Sequence, residues 1–349
     1  MTHNTRRFTR YAPMGTRAGK QHTGSTKTIL EAAEHLGVAW KEVVGINTFQ
    51  LQYKNHREYF YDQVPSSTTA LAARITTDKR LTRNYLKKAG IPVPKGFSTY
   101  PKDSQEYTET IFEHLHKPLV IKPSYGMHGT HVHTGIADKK TYRNTISFLK
   151  ESSNHPKESI IIEEQVSGTE CRFLCCENKV IGVIRRVPAH IIGDGSRTIS
   201  QLIKEKNNDP KRGRPEEHKP LTQIIPDQDL MACLKEHNVS LESTPAVGQR
   251  VMLRNVSNIS KGGDSVDVTD EVSPKLKKLA LKTLGTIPGL YWAGIDIMFQ
   301  DKVVDSKQTA VVIEINTSPG LDIHDHPYQG ENRHASEAFV RHMFPEIIQ

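Results

Sequence analysis

The sequence predicts an α+β fold with antiparallel sheet, and three observations predict it. Helix and strand patterns are mixed along the 349 residues without the strict strand–helix–strand alternation of a parallel sheet. Two β-branched segments, 159–176 and 179–192, alternate like strands and are joined by a short ENK hairpin. Two further segments, 292–299 and 310–316, alternate in the same way and can pair through the polar connection DKVVDSKQT.

Caps and breakers define the elements of the first half. STKTILEAAEHLGVAW opens with a Ser/Thr cap, has helical apolar spacing and ends at Gly37. TTDKRLTRNYLKKAGIPVPKG predicts a second helix, which a glycine and a Pro-x-Pro terminate. KPLVIKPS then predicts a short buried strand, SYGMHGTHVHTGI a glycine-punctuated loop, and residues 138–150 a polar helix.

The second half contains a long polar stretch and a predicted terminal helix. The chain turns polar from Gly193 to about residue 248, and NNDPKRGRPEEHKP is predicted to be a mobile surface loop. Residues from His334 onward predict a terminal helix. No internal repeat or low-complexity tract interrupts these elements, so the chain is expected to fold as two or three packed units.

Composition and charge limit the classes of function. With 36% hydrophobic residues, the chain has no apolar run near the roughly 20 residues needed to cross a bilayer, and no secretory start. We therefore expect a cytoplasmic protein without a membrane partner. Most of the net charge of +8 lies at the N-terminal end of the sequence, because residues 1–30 hold six Lys or Arg and no acidic residue. This predicts a flexible basic tail over residues 1–27, with a transit peptide as the alternative, and argues against a nucleic-acid partner.

Cysteine and histidine spacing does not require a transition-metal site. The four cysteines lack a C-x-x-C pair or zinc-like spacing, so reduced and mostly buried thiols are expected at Cys171, Cys175, Cys176 and Cys233. Histidines cluster in MHGTHVHTG and in HDH. Soft-metal binding there is the alternative to solvated or phosphate-facing side chains.

The two C-terminal strands carry oxygen ligands on apolar scaffolds. In AVVIEINTSPGL, Val312, Glu314 and Asn316 are expected on one face, because side chains two apart in a strand point the same way. In WAGIDIMFQD, Asp296 alternates with apolar neighbours. Buried carboxylates without a partner cost several kcal/mol, so a pair of them implies a cation. Oxygen ligands indicate a hard ion such as Mg²⁺; an edge strand with a solvated face is the alternative.

A lysine and a glycine loop form a candidate phosphate cradle. VIKPSYGMHG places Lys122 at the end of a strand, directly before Gly126 and Gly129. Glycines let backbone N–H groups approach an anion, and the lysine adds a point charge. The loop is not a Walker motif, and a plain surface turn is the alternative.

These features in this order resemble the ATP-grasp superfamily. Within it, the chain is similar to the ATP-grasp unit of cyanophycin synthetases and of bifunctional glutamate–cysteine ligase/glutathione synthetases. The resemblance covers about residues 45–345, and its matching segments are FQLQYKN, TTDKRLTRNYLKKAGIPVPKG, IKPSYGMHG, RRVPAHIIGDGSRTISQLIKEKNNDPKRG, LRNVSNISKGGDSVDVTD and EINTSPGLDIHDHPYQGENR.

The resemblance implies two α+β subdomains that sandwich a nucleotide. Residues 28–75 would form a shortened N-terminal region and residues 76–167 the lid, or N-terminal subdomain. Residues 168–349 would form the C-terminal subdomain, which holds an insertion at 195–250 and the metal-binding strands.

The resemblance also implies roles for individual residues. ATP would contact Lys79, Lys122, Gly126, Gly129, Glu163, Glu164, Val166 and, through its ribose, Glu170. Mg²⁺, or Mn²⁺ in its place, would bind Asp296, Glu314 and Asn316. Arg172, Asn258, Gly262, Gly263 and His324 would face the substrate. Arg254, Arg185 and His128 would be catalytic: Arg254 would stabilise the tetrahedral stage, and His128 would be a general base or phosphate contact unless it only shapes its loop.

One position departs from the family pattern. The family loop commonly reads G-N-H-G-R-G-V, and this chain has His131 in place of the last glycine. Its Cβ restricts the backbone there, which we expect to affect closure of the loop over phosphates.

The resemblance implies an ADP-forming carboxylate–amine ligase that works through an acyl phosphate on an amino acid or small peptide, and it suggests a homodimer. The named relatives carry further domains, so glutathione synthesis itself is not the expected reaction. The alternative is a non-catalytic or regulatory ATP-binding module. Specificity is expected to lie in the 195–250 segment and around His324, Pro327, Gly330 and Arg333, which no periodicity can interpret.

Overall fold

The computed structural model describes residues 23–43, 47–126, 129–152, 158–217, 219–300 and 310–347. His128, the DKVVDSKQT connection and most of the predicted basic tail lie outside these ranges. Among the described residues, no helix combines the length and apolarity that a membrane span requires.

The first described unit is a helix on a small antiparallel sheet. Helix α1 (Gly24–His35) is capped by Thr23, whose side chain accepts a hydrogen bond from the Thr26 N–H, so the cap lies two residues before the predicted start at Ser25. Strands β1 (Ala39–Glu42), β2 (Thr48–Tyr53), β3 (His56–Tyr61) and β4 (Val64–Pro65) follow as a meander. Their apolar face, which includes the stacked rings of Phe49 and Phe60, shares a core with α1 and the C-terminal helix.

Two helices connect this unit to a second sheet. Helices α2 (Ala70–Thr77) and α3 (Lys79–Lys88) are separated by Asp78, which caps α3. Strands β5 (Gly96–Thr99), β6 (Leu119–Pro123), β7 (His133–Ile136) and β8 (Ile160–Glu164) form an antiparallel sheet in the order β5-β8-β6-β7. Helices α4 (Gln105–His114) and α5 (Lys139–Ser152) cover it around a core that includes Ile121, Tyr142 and Ile162. Strand β7 lies within the segment that was predicted to be entirely loop.

A five-stranded antiparallel sheet forms the centre of the second half. The elements of this half in chain order are β9 (Thr169–Cys176), β10 (Lys179–Val187), β11 (His190–Ile192), α6 (Ile199–Lys206), β12 (Arg212–Gly213), β13 (Leu221–Thr222), α7 (Gln228–Glu236), β14 (Arg250–Met252), β15 (Asp264–Asp267), α8 (Pro274–Thr286), β16 (Trp292–Phe299), β17 (Ala310–Asn316), α9 (Asp322–Asp325) and α10 (Ala335–Met343). The strands of the central sheet follow the order β15-β10-β9-β16-β17, so the two predicted strand pairs are neighbours in one sheet. Helix α8 packs on the core face of the sheet, and α10 confirms the predicted terminal helix.

The polar stretch folds around its own core, from which the predicted surface loop NNDPKRGRPEEHKP stays largely exposed, apart from the buried Arg212 and Gly213. Residues such as Ile199, Leu230 and Val251 bury a separate apolar cluster there. Within NNDPKRGRPEEHKP, the Arg212 side chain is fully buried and its guanidinium contacts Asp264. The partner carboxylate lies 52 residues away in sequence, so local composition gives no sign of this burial.

The described cysteines are free thiols, as predicted. Cys171, Cys175 and Cys233 are buried, and Cys176 is half-buried. Burial raises the pKa of Cys176 to about 12, so this thiol stays protonated at neutral pH.

Candidate functional site

Paired strands β16 and β17 bring the three predicted metal ligands together. Asp296 lies directly opposite Glu314, and Gly294 lies opposite Asn316. The Asn316 side-chain amide donates to Asp296 Oδ2 at 3.3 Å. Asp296 is 1% exposed, whereas Glu314 is 32% exposed at the cavity surface.

A β-bulge corrects the predicted face of Val312. The register shifts between Asp296 and Ile297, so that Val312 pairs with Ile297 and both lie in the hydrophobic core. The extra residue, Ile313, lines the cavity instead. Because a bulge inserts one residue, strict alternation fails at this point and Val312 points away from Glu314.

Two arginines already neutralise Asp296. Arg172 binds it in a bidentate pair, with Nε and Nη2 each 2.8 Å from a carboxylate oxygen, and also donates to Pro319 O. Arg186 Nη2 lies 2.9 Å from Asp296 Oδ2. Burial alone would raise the pKa of Asp296, but the two guanidinium charges outweigh it and hold this pKa at about 2. Arg172, predicted to face the substrate, therefore directs its donors to Asp296 and a carbonyl.

Arg186 is a site residue that the sequence reasoning missed, because it singled out the adjacent Arg185. Arg186 contacts both Asp296 and Glu170. Arg185 lies across from the buried Cys171, on the opposite face of the sheet, although it reaches the cavity wall. The RR pair was visible in the sequence, but only the strand register shows which arginine faces the carboxylates. Glu170, predicted to hold ribose, is hydrogen-bonded by Arg186 and by the Ser257 hydroxyl.

Lys79 joins strand β17 to the glycine loop. Its Nζ donates to Gly126 O at 2.6 Å and lies 3.3 Å from Glu314 Oε1. The other predicted lysine, Lys122, is buried and contacts Glu163, whose second oxygen is 3.9 Å from Arg83. The two lysines therefore lie on different walls of the cavity, each beside a carboxylate.

The hinge after β8 carries the remaining predicted nucleotide contacts. Glu164 accepts from the His116 N–H at 3.1 Å and pairs with Lys95 at 3.2 Å, so its carboxylate is bound within the lid. Val166 is half-buried and lines the cavity. Its position leaves backbone groups of the hinge beside the space where a base could bind.

The glycine loop uses left-handed backbone at several positions. Gly126 and Gly129 have φ of 132° and 72°, which explains the glycines. His131 has φ of 57°, so it adopts the conformation that glycine would take at lower cost. Its ring packs edge-on against Phe148 at 5.3 Å between centroids. His128, the predicted base, lies outside the described residues.

The segment after β14 has a different role at each predicted position. Arg254 is nearly buried and its Nη1 lies 2.5 Å from Asp227 Oδ1, at the cavity wall. The Asn258 side chain caps the short 3₁₀ turn Ile259–Lys261 and lies beside Gly129 of the glycine loop. Gly262 and Gly263 are buried, and a Cβ would lie 2.7 Å and 2.8 Å from neighbouring atoms. These two glycines therefore serve close packing and do not face the cavity.

His324 is buried beneath the site, which corrects its predicted contact with substrate. Its side chain is 0% exposed, and neither ring nitrogen has a hydrogen-bond partner in the part of the chain that the structure describes. Burial, assisted by the charge of Arg172, lowers the pKa of His324 to about 3. The ring is therefore neutral at physiological pH and supports the floor of the site.

One large cavity connects these groups. Its volume is about 2540 Å³, and its walls come from the lid sheet, the five-stranded sheet, the polar insertion and the start of α1. It reaches from the glycine loop past Glu314 and Asn316 to Lys206 and Tyr328. This space exceeds that of a single drug-sized ligand, so it can hold a nucleotide together with other substrates.

Comparisons with known proteins agree with this architecture. The ATP-grasp domain family matches residues 76–195. Cyanophycin synthetase of Trichormus variabilis is 33% identical over 323 residues, which cover 92% of this chain and 35% of the relative. The glutathione biosynthesis bifunctional protein GshAB of Clostridium perfringens is 34% identical over 285 residues, which cover 80% of this chain and 35% of the relative.

A solved structure extends this agreement to the whole fold. The crystal structure of a bifunctional glutathione synthetase from Pasteurella multocida superimposes with a TM-score of 0.71 and 27% identity, covering 94% of this chain and 45% of that chain. The α+β fold predicted from the sequence is confirmed. The chain spans about a third of the length of the two curated relatives.

Proposed function

The chain belongs to the ATP-grasp superfamily, and from this premise we propose that it is an ATP-dependent ligase joining a carboxylate to an amine. The acid would be activated as an acyl phosphate with release of ADP, and the amine would then displace phosphate. The acyl donor would be an amino acid or a small peptide. The observation that carries the proposal is that Glu314 and Asn316 line one cavity wall directly beside the buried Asp296, with Lys79 between Glu314 and the glycine loop.

The donor set fits a hard divalent ion. Asp296, Glu314 and Asn316 offer only oxygen ligands, which is the chemistry of Mg²⁺ or Mn²⁺ sites. Glu314 is the accessible carboxylate of the three, and it would hold the ion together with phosphate oxygens. When bound, such an ion neutralises phosphate charge and fixes the γ-phosphate for transfer.

The chain's own residues would bind and orient the reactants. Lys122, Lys79 and the N–H groups around Gly126 and Gly129 would bind phosphates, while Arg172 and Arg186 would offset charge that develops during transfer. Positioning and charge stabilisation suffice for this chemistry, so no covalent enzyme intermediate is needed. The catalytic roles of Arg254 and His128 remain predictions from the family resemblance.

The test is ADP formation across amino acids and dipeptides in a coupled assay, with product mass identifying the bond. Glu314→Gln should lower ADP formation at least about 100-fold, because it removes the accessible ligand charge. Folding should be unaffected, since Glu314 is partly exposed. The exposed Glu271 provides a matched control, and Glu271→Gln should keep full activity.

One observation favours a second candidate, a non-catalytic ATP-binding module. Asp296 has arginines on both oxygens, and Glu314 has a lysine nearby, so the carboxylates have partners without a metal. Measurable ATP binding with no ADP formed from any member of the panel would establish this module. Full activity in Glu314→Gln would refute the metal assignment.

A further inference from the structure

We propose that Lys206, Arg212, Asp264 and Tyr328, here called the Lys206 cluster, form a subsite for the C-terminal carboxylate of a short peptide substrate. The inference rests on the proposed ligase function, because it concerns the substrate of the same cavity. The cluster lies where α6, β12 and β15 meet the segment after α9.

The cluster has more positive than negative charge. Lys206 Nζ donates to Asp264 Oδ2 at 2.7 Å and to His190 O at 2.9 Å. The Arg212 guanidinium contacts the other oxygen of Asp264 and donates to two backbone carbonyls. One carboxylate is thus shared by two cations, which leaves one positive charge without a counter-charge inside the cluster.

The surrounding groups do not remove this surplus. Lys211, whose Nζ donates to Pro327 O, and the exposed Arg250 add positive charge, and Asp209 is the additional acid near Tyr328. Burial and then the charge of Lys206 lower the pKa of His190, so this ring is neutral at physiological pH. Among these described residues, the four cations Lys206, Arg212, Lys211 and Arg250 therefore outnumber the two carboxylates of Asp264 and Asp209.

Burial makes the surplus charge costly without an anion. The side chains of Arg212, Asp264 and Lys206 are 0%, 3% and 13% exposed. A buried charge that lacks a partner is unfavourable, so an anion that reaches the cluster gains strong electrostatic attraction. A carboxylate matches a site that offers an ammonium and a hydroxyl as donors.

Lys206 and Tyr328 present the donors that such a carboxylate needs. Both residues line the cavity, whereas Arg212 is sealed beneath them. An ammonium has three N–H groups, and the contacts to Asp264 and His190 use two. The Tyr328 hydroxyl has no hydrogen-bond partner among the described residues. The Tyr328 ring lies 5.5 Å from both the Lys206 ammonium and the Arg212 guanidinium, which fixes the direction of the ammonium.

Distance separates this subsite from the phosphate-binding end of the cavity. Strand β15 of the cluster is three strands from β16, which carries Asp296. At about 4.8 Å per strand, this is about 14 Å, too far for a phosphate held by Asp296 and Glu314 to touch Lys206. A ligand that spans this distance from an acyl phosphate to the cluster needs about four extended residues, at about 3.4 Å each. The geometry therefore favours a short peptide over a single amino acid.

Calorimetric binding in the presence of Mg²⁺ and a non-hydrolysable ATP analogue tests the proposal without turnover. The probes are Gly-Gly-Gly-Gly, Ala-Ala-Ala-Asp and Ala-Ala-Ala-Glu, with Gly-Gly as a comparison too short to span the distance, and each is paired with its C-terminal carboxamide. At least one acid should bind wild type about 10- to 100-fold more tightly than its carboxamide. Lys206→Met should weaken the binding of that acid by a similar factor. The affinities for the carboxamide and for the ATP analogue should be unchanged.

The variants are chosen so that folding does not obscure the result. In Lys206→Met, Asp264 still pairs with Arg212, and Lys206→Arg should restore most of the preference for the acid. Lys150→Met is the matched control, because Lys150 is a half-buried lysine bound to the Asp103 carbonyl in the lid. If Lys206→Met does not fold, Tyr328→Phe replaces it and should reduce the acid preference by removing one donor.

Two results would overturn the subsite. Either no acid in the panel binds wild type better than its carboxamide, or Lys206→Met weakens acid and carboxamide equally. The proposed function can fail separately from the subsite. If the acids bind selectively but no ADP forms from the same peptides and an amine, the subsite stands and the ligase activity is refuted.

Discussion

Replacing His324 should change how stability depends on pH. The folded protein keeps this ring neutral, because burial lowers its pKa from 6.5 to about 3. The unfolded chain takes up a proton below about pH 6.5, so between pH 6.5 and 3 it binds more protons than the folded state. The free energy of unfolding therefore falls as the pH falls through this window. At pH 5, 1.5 units below the unfolded value, the loss is about 2 kcal/mol.

The assay compares wild type with His324→Met at pH 7.5 and pH 5.0. Methionine fills a similar volume and does not titrate, so this variant should lose about 2 kcal/mol less than wild type between the two values. Urea unfolding can be followed through Trp292, which is fully buried in the sheet, in a Trp40→Phe background that leaves it as the single tryptophan.

A nearby histidine supplies the control for this comparison. His326 is exposed, so His326→Met should follow the pH dependence of wild type. Parallel pH dependence in wild type and His324→Met would refute the reasoning. It would mean that the ring gains a proton or a partner in the folded state.

Three further predictions concern strained backbone and buried charge, each measured by paired thermal unfolding. His131→Ala should be about 1 kcal/mol less stable than His131→Gly, because both lose the ring and only alanine keeps a Cβ at φ of 57°. Arg212→Met should cost about 3 kcal/mol by leaving Asp264 Oδ1 and two backbone carbonyls without their hydrogen-bond donor, whereas the exposed Arg214→Met should cost under about 0.5 kcal/mol. Gly262→Ala should destabilise far more than Gly248→Ala, since both have positive φ and only Gly262 has an atom 2.7 Å from the new Cβ. If the two variants of a pair have equal thermal unfolding curves, the reasoning for that pair is contradicted.

The meeting of Asp296 and Glu314 could be predicted from the sequence, because it depends on local alternation within two strands. The same rule failed for Val312, since the bulge at Ile313 changes the alternation by one residue. A bulge is set by how two strands pair, and the pattern of one strand contains no sign of it. Predicting the site therefore succeeded for residues that share a strand face and failed where pairing altered that face.

Long-range charge pairs limit what the sequence can predict. The sequence argument inferred a metal because two buried carboxylates need a cation; Arg172 and Arg186 already supply positive charge to Asp296 from strands 124 and 110 residues away, and the metal itself stays a prediction. Arg212 was assigned to a surface loop for the same reason, because its partner Asp264 follows only after the insertion. Composition shows that charges are present, and only the tertiary fold shows which of them meet.

The contacts of Lys79 explain how one site can keep its carboxylates without a nucleotide and still bind one. The Lys79 ammonium is 3.3 Å from the Glu314 carboxylate and donates to the backbone carbonyl of Gly126, so it links strand β17 to the glycine loop. A divalent ion on Glu314 would repel this ammonium, because like charges at such distances are unfavourable at low dielectric. Phosphate oxygens bound at the glycine loop would attract it from the other side. Ion and nucleotide are therefore expected to bind with positive coupling, since each removes a competing interaction of the same lysine.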